Sequence, residues 1–126
     1  MYAIGNDHTA VALKQIIKAH LEAKGIEVKD FGTDSTTASN YAEKAEEVAN
    51  AVASGECERG ILICGTGIGI SIAANKVNGI RAACCSEPFS AKLSKLHNNS
   101  NILCFGARVV GSELAKMIID EWVNAE

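Results

Sequence analysis

Gly60-Ile61-Leu62-Ile63-Cys64-Gly65-Thr66-Gly67-Ile68-Gly69 is the stretch on which the fold of this chain turns. Ile61-Leu62-Ile63 is compact and continuously apolar, the pattern of a central parallel strand covered on both faces. It ends in a cysteine, and the glycine-rich turn behind it opens into a helical stretch from Ile70 to Val77. Gly65, Gly67 and Gly69 permit tight backbone geometry, and the following helix N-terminus would point N–H groups at an anion. Such a turn can gather backbone donors, the Cys64 thiol and the Thr66 hydroxyl around one small anionic ligand.

Outward from this stretch, two periodicities alternate. Tyr2-Ala3-Ile4, Ile26 to Phe31, Ile80 to Cys85 and Ile102 to Phe105 are the other strand candidates. Between them, Val11, Leu13, Ile16, Ile17 and Leu21 recur at helical spacing, as do Ala42, Ala45, Val48, Ala49 and Val52. Pro88 stands where a fourth helix can start, and Leu114, Met117, Ile118, Trp122 and Val123 mark a last amphipathic one. The pattern predicts a three-layer Rossmann-like α/β fold, a mostly parallel five-stranded sheet with helices on both faces, as one domain over residues 1–126. Ligands of such a sheet bind beyond the carboxyl ends of its strands. Those ends carry Gly5-Asn6-Asp7-His8, Cys64-Gly65-Thr66-Gly67, Ser86-Glu87 and Gly106-Ala107-Arg108.

Composition narrows the function classes. A formal net charge of -3 argues against nucleic acid as a partner. No apolar stretch approaches the roughly 20 residues of a membrane span, and the N-terminus lacks signal-peptide order. Five cysteines without a CxxC pair argue against a disulfide framework or a zinc site and fit a reducing cytoplasm. Four of them read as small buried or half-buried residues, with Cys64 set apart by the turn that follows it. The glycines do not complete a dinucleotide fingerprint, and the lysine-hydroxyl ending of a phosphate-binding P-loop is missing. No cofactor and no metal are therefore expected.

The remaining polar residues each carry two readings. Cys64 is either a nucleophile or base activated by helix N–H groups or a buried structural thiol. Thr66 either donates to a developing oxyanion or caps the helix. Asp7 and His8 can orient a sugar hydroxyl and contact a phosphate, while Asp7 equally suits an N-cap. His97, in the polar run Lys95 to Asn101, is an acid or base at neutral pH or a helix C-cap. His20 lies in a helix away from the predicted rim and reads as structural. Arg108 is placed to pair with phosphate. A phosphosugar isomerase needs a base, a donor to an enediolate oxygen, and an acid or base at the ring oxygen. Cys64, Thr66 with its neighbouring N–H groups, and His97 could supply that set.

Several long motifs add a resemblance. They are Ala3 to His8 (AIGNDH), Asp30 to Thr33 (DFGT), Arg59 to Lys76 (RGILICGTGIGISIAANK), Gly79 to Ala82 (GIRA), His97 to Asn101 (HNNSN) and Gly106 to Gly111 (GARVVG). On these the chain resembles the ribose-5-phosphate isomerase B family, within a wider group that includes galactose-6-phosphate isomerase subunits. The resemblance implies Cys64 as the base moving a proton between C1 and C2. Thr66 and the N–H groups of Gly65, Gly67, Ile68 and Gly69 would stabilise the enediolate. His97 would open the ring with Asp7 assisting, His8 and Arg108 would contact phosphate, and Tyr41 and Asn98 would line the site. It also implies a homodimer or homotetramer with active sites at the subunit interface. A second branch of the family places a glutamate where Ile70 stands here, so retention of Cys64 resembles the cysteine-using branch.

Ala42 replaces a common proline, Asn99 replaces a common aspartate, and the family's arginine-bearing C-terminal extension is expected to be lacking. The resulting expectation is a metal-independent, cytoplasmic isomerase of ribose 5-phosphate and ribulose 5-phosphate. The alternatives are an allose-6-phosphate or galactose-6-phosphate isomerase, and a non-catalytic phosphosugar-binding subunit.

Overall fold

In a computed structural model of the chain, which describes residues 1–125, strands and helices alternate as the periodicity predicts. The strands are β1 (Tyr2–Asn6), β2 (Val28–Asp30), β3 (Arg59–Cys64), β4 (Ala82–Cys84) and β5 (Ile102–Gly106). The helices are α1 (Val11–Ala23), α2 (Tyr41–Ala53), α3 (Ile68–Ala74), α4 (Pro88–Leu96) and α5 (Ser112–Asn124), with a 3-10 turn at His8–Ala10. Strand order is β2-β1-β3-β5-β4, and every neighbouring pair is parallel. The sheet is thus parallel throughout, and β3 lies in its middle.

Side-chain alternation divides the core in two. Ile4, Ile61, Ile63, Leu103 and Phe105 face the layer of α1, α4 and α5, with Ile17, Leu21, Ile118 and Trp122 packed against them. Ala3, Leu62, Cys64, Ile102 and Cys104 face the other way, onto Val48, Val52, Ile70 and Ala74 of α2 and α3. That two-sided burial is why β3 reads as an unbroken apolar run. β2 is shorter than the Ile26 to Phe31 alternation predicts. It pairs with β1 alone, and its residues are only half-buried or exposed, so few contacts extend it.

Local chemistry sets the helix starts. Asn40 accepts from the Ala42 N–H at 3.0 Å and caps α2. Glu87 accepts from the Ser90 N–H at 3.1 Å ahead of Pro88. Hydrogen bonding to Ser90 holds the Glu87 carboxyl below its usual range, the expected effect at a helix N-terminus. Two buried polar groups organise the connections. Lys14, fully buried, reaches Asp30 at 2.8 Å and Asp34 at 2.6 Å and ties the loop after β2 to α1. Burial lowers its pKa, but the two carboxylates outweigh that and raise it, so the lysine stays charged. Trp122 donates through Nε1 to Ser100 Oγ at 2.9 Å, and Ser100 meets Ser94 Oγ at 2.9 Å, anchoring the loop between α4 and β5.

Candidate active site

β3 delivers Cys64 to the carboxyl edge of the sheet, 5% exposed. Its Sγ accepts the Gly67 N–H at 3.1 Å, so a backbone dipole points at the sulfur. Gly67 can do this because it holds φ 82, the left-handed region. A Cβ there would lie 2.6 Å from the Phe105 carbonyl carbon, so the turn also needs glycine for space. Thr66 is exposed, and its Oγ1 accepts the Ile68 N–H at 3.2 Å. That bond uses a lone pair and leaves the hydroxyl hydrogen to donate, so capping and oxyanion donation are compatible roles for Thr66. The Ala107 N–H donates to the Cys64 carbonyl at 2.8 Å and the Arg108 N–H to the Gly65 carbonyl at 3.1 Å. These bonds staple the end of β5 to the turn.

The first strand supplies the facing wall. Asp7 is 6% exposed and its Oδ1 accepts both the N–H of Thr9, at 2.9 Å, and the Thr9 hydroxyl, at 2.6 Å. Asp7 is therefore the cap of the 3-10 turn, and one oxygen is committed to that task. A Cβ on Gly65 would lie 3.8 Å from Thr9 Oγ1 and 3.9 Å from an Arg108 guanidinium nitrogen. Thr9, Arg108 and the turn after Cys64 thus converge on one spot. Arg108 is exposed and has no salt bridge among the described residues. His8 is half-buried and paired with Ser39: its own N–H donates to Ser39 Oγ at 2.9 Å, and the Ser39 N–H donates to His8 Nδ1 at 3.2 Å. On the other flank the Tyr41 ring covers Gly69, whose Cβ would lie 3.0 Å from Tyr41 Cζ. Ile68 is exposed beside it.

His97 and Asn98 are elsewhere. They follow α4 at the amino edge of the sheet, where Asn101 accepts from Gly60 N–H at 3.0 Å and Arg81 Nε donates to the Asn99 carbonyl at 2.6 Å. β5 runs from that edge to Gly106, which is in register with Cys64. Five residues at about 3.3 Å each put roughly 16 Å between the two edges. Within one chain the structure brings together Asp7, His8, Tyr41, Cys64, Gly65, Thr66, Gly67, Ile68, Gly69 and Arg108, and leaves His97 and Asn98 apart from them.

Thr9 and Ser39 were not legible as site residues. Thr9 has a local signal in its two-residue offset from Asp7, the spacing of an Asx turn. Ser39 has none, because a 31-residue separation from His8 is closed only by folding. The cysteines need one correction. Cys57, Cys85 and Cys104 are buried as expected, but Cys84 is exposed at the end of the short strand β4. Its Sγ lies 3.7 Å from the Thr66 carbonyl oxygen, and partial burial pushes its pKa up. Burial does the same more strongly to Cys104. His20 bonds Asp120 at 2.7 Å between α1 and α5, a structural contact. A groove between α2 and α3, lined by Ala42, Glu46, Ala73, Lys76 and Val77, does not include Cys64, Thr66 or Arg108. Among the described residues no helix is long and apolar enough to cross a membrane, and no three His, Cys, Asp or Glu residues cluster to hold a metal.

The sequence profile of the Ribose/Galactose Isomerase family matches residues 2–126. This chain belongs to that family. It is 59% identical over 124 residues to ribose-5-phosphate isomerase B of Escherichia coli (strain K12), covering 98% of this chain and 83% of the relative. It is 48% identical over 125 residues to D-erythrulose-4-phosphate isomerase of Pectobacterium atrosepticum, covering 98% of this chain and 82% of that one. Among solved structures, ribose-5-phosphate isomerase B of Clostridium thermocellum superposes with a TM-score of 0.98 at 53% identity, over 99% of this chain and 84% of that chain. The strand-turn-helix around Cys64 and the family assignment agree, so the family's architecture is this chain's architecture.

Proposed function

We propose that this protein interconverts ribose 5-phosphate and ribulose 5-phosphate through an enediolate. The observation that carries this reading is Cys64 Sγ beneath the Gly67 N–H, with Thr66 beside it and the cation of Arg108 across the turn. With the sugar opened, the Cys64 thiolate takes the proton from C2 of the aldose. Electrons move toward the C1 carbonyl, and the Thr66 hydroxyl donates to the enediolate oxygen where charge develops. The O2 hydroxyl proton passes to O1, and return of the carbon-bound proton from Cys64 to C1 leaves a carbonyl at C2, the ketose. Arg108 and His8 hold the phosphate as two donors to one dianion. Tyr41 closes the side of the site over Gly69.

In this reading ring opening falls to His97 of a second copy of the chain, and the roughly 16 Å across the sheet supports that arrangement. Exposed Ile68 and Ile72 on α3, one turn apart and next to the catalytic turn, support an interface there. A four-carbon phosphosugar belongs in the test as well, since the relatives include a D-erythrulose-4-phosphate isomerase.

The test is a coupled assay of the chain on ribose 5-phosphate, allose 6-phosphate, galactose 6-phosphate and erythrulose 4-phosphate. Cys64→Ala is expected to lower kcat by about 10²–10⁴ with the circular dichroism unchanged, the range of a lost general base. A variant as active as the parent would remove Cys64 from the chemistry. No turnover of any of the four sugars by the parent would leave the phosphosugar-binding alternative.

A further inference from the structure

The polar loop between β2 and α2 is fastened at both ends, and its last residues touch the proposed phosphate site. At its start, Lys14 grips Asp30 and Asp34, while buried Asn6 donates to the Thr33 carbonyl at 3.0 Å and accepts the Thr33 N–H at 3.1 Å. At its end, Asn40 caps α2. Between these anchors Ser39 meets His8 in a reciprocal pair, N–H to Nδ1 and N–H to Oγ. A backbone amide can only donate. His8 Nδ1 is therefore the acceptor nitrogen, and the hydrogen of the neutral ring lies on Nε2.

We propose that Ser39 is a positioning residue that sets His8 as the Nε2–H tautomer, so that the ring offers a donor and not a lone pair to the phosphate. This rests on the isomerase reading for the identity of the ligand, but not for the geometry. A phosphate dianion carries only acceptor oxygens, and the Nδ1–H tautomer would present an Nε2 lone pair to them. The Ser39 amide fixes the tautomer, and the Ser39 hydroxyl holds the His8 main chain so that the amide stays in reach. The arrangement explains why a loop far away in sequence is tied down by a fully buried lysine and an asparagine, each with two or more bonds.

The experiment uses the full chain labelled with 15N. A scalar coupling across the hydrogen bond from the Ser39 amide nitrogen to His8 Nδ1 is expected, and titration with inorganic phosphate should shift the Nε2 resonance. Ser39→Ala should raise KM about fivefold while kcat stays within about twofold, the effect of one net hydrogen bond. Ser39→Thr, which keeps hydroxyl and amide, should restore the parent KM. A hydrogen found on Nδ1, a missing coupling, or an unchanged KM in Ser39→Ala would overturn the proposal. The coupling and the phosphate shift need no turnover. A chain that passes both yet isomerises nothing would sink the isomerase reading alone, and an active chain without the coupling would sink this one alone.

Discussion

Gly67 does two jobs with one missing side chain. Its φ of 82 aims its N–H at Cys64 Sγ, and its bare Cα lets the turn lie against the Phe105 main chain. Gly67→Ala should therefore lose about 1–3 kcal/mol of stability from the left-handed backbone alone, with more from the 2.6 Å approach to Phe105. Activity should fall with it, because relaxing the turn moves the donor off the sulfur. Urea unfolding and kcat measured together decide this. A variant of parent stability and activity would mean that the turn is not under this constraint. At this scale the sequence was informative wherever function and local geometry coincide. The spacing of Gly65, Gly67 and Gly69 behind Cys64 permits a tight turn, and the structure contains one, left-handed at Gly67. Asp7 reads from the sequence equally as cap or ligand, and the Thr9 bonds make it a cap. The exposure of Cys84 was not legible, because Ile80 to Cys85 looks like a buried strand until β4 proves to be the short edge of the sheet.

Among the elements, the helix layer on the α1 side is held together by a charged contact as well as by its apolar core. Asp120 of α5 receives His20 Nε2 of α1 at 2.7 Å and Nζ of Lys24, the C-cap of α1, at 2.9 Å. Burial raises the Asp120 pKa, but the bonds from Lys24 and His20 outweigh it and hold it below the usual range. The sign follows from linkage. A carboxylate depressed in the folded state stabilises the fold at pH values above its unfolded pKa, and that contribution disappears as pH falls through the folded value. The stability advantage of the parent over Asp120→Asn should thus be level above about pH 5 and shrink below about pH 4. Denaturant midpoints across that window measure it, and an advantage that persists undiminished at low pH would contradict the assignment. The order of strands and helices was legible from periodicity, since buried strands and amphipathic helices leave different apolar spacings. The loop from Gly32 to Asn40 was legible only as polar. Its anchoring to Asn6, His8 and Lys14 depends on groups remote in the chain.

For the whole molecule, the separation of His97 from Cys64 carries the sharpest expectation. If each site takes Cys64 from one chain and His97 from another, Cys64→Ala and His97→Ala are both defective alone, yet a mixed dimer contains one intact site. Random subunit exchange between the two variants should then recover about a quarter of parent activity in a symmetric dimer. No recovery after exchange, verified by native mass measurement, would place both residues in one chain's site. The sequence by itself determined the alternation of strand and helix, the rim on which Cys64, Thr66, Asp7 and Arg108 stand, and the family, because these are written in local spacing and contiguous motifs. Only the tertiary structure decided that the sheet is parallel throughout, that Ser39 reaches His8, and that His97 lies across the sheet from Cys64. Those facts depend on strand order and register, which bring together or hold apart residues whose distance along the chain says nothing about their distance in space.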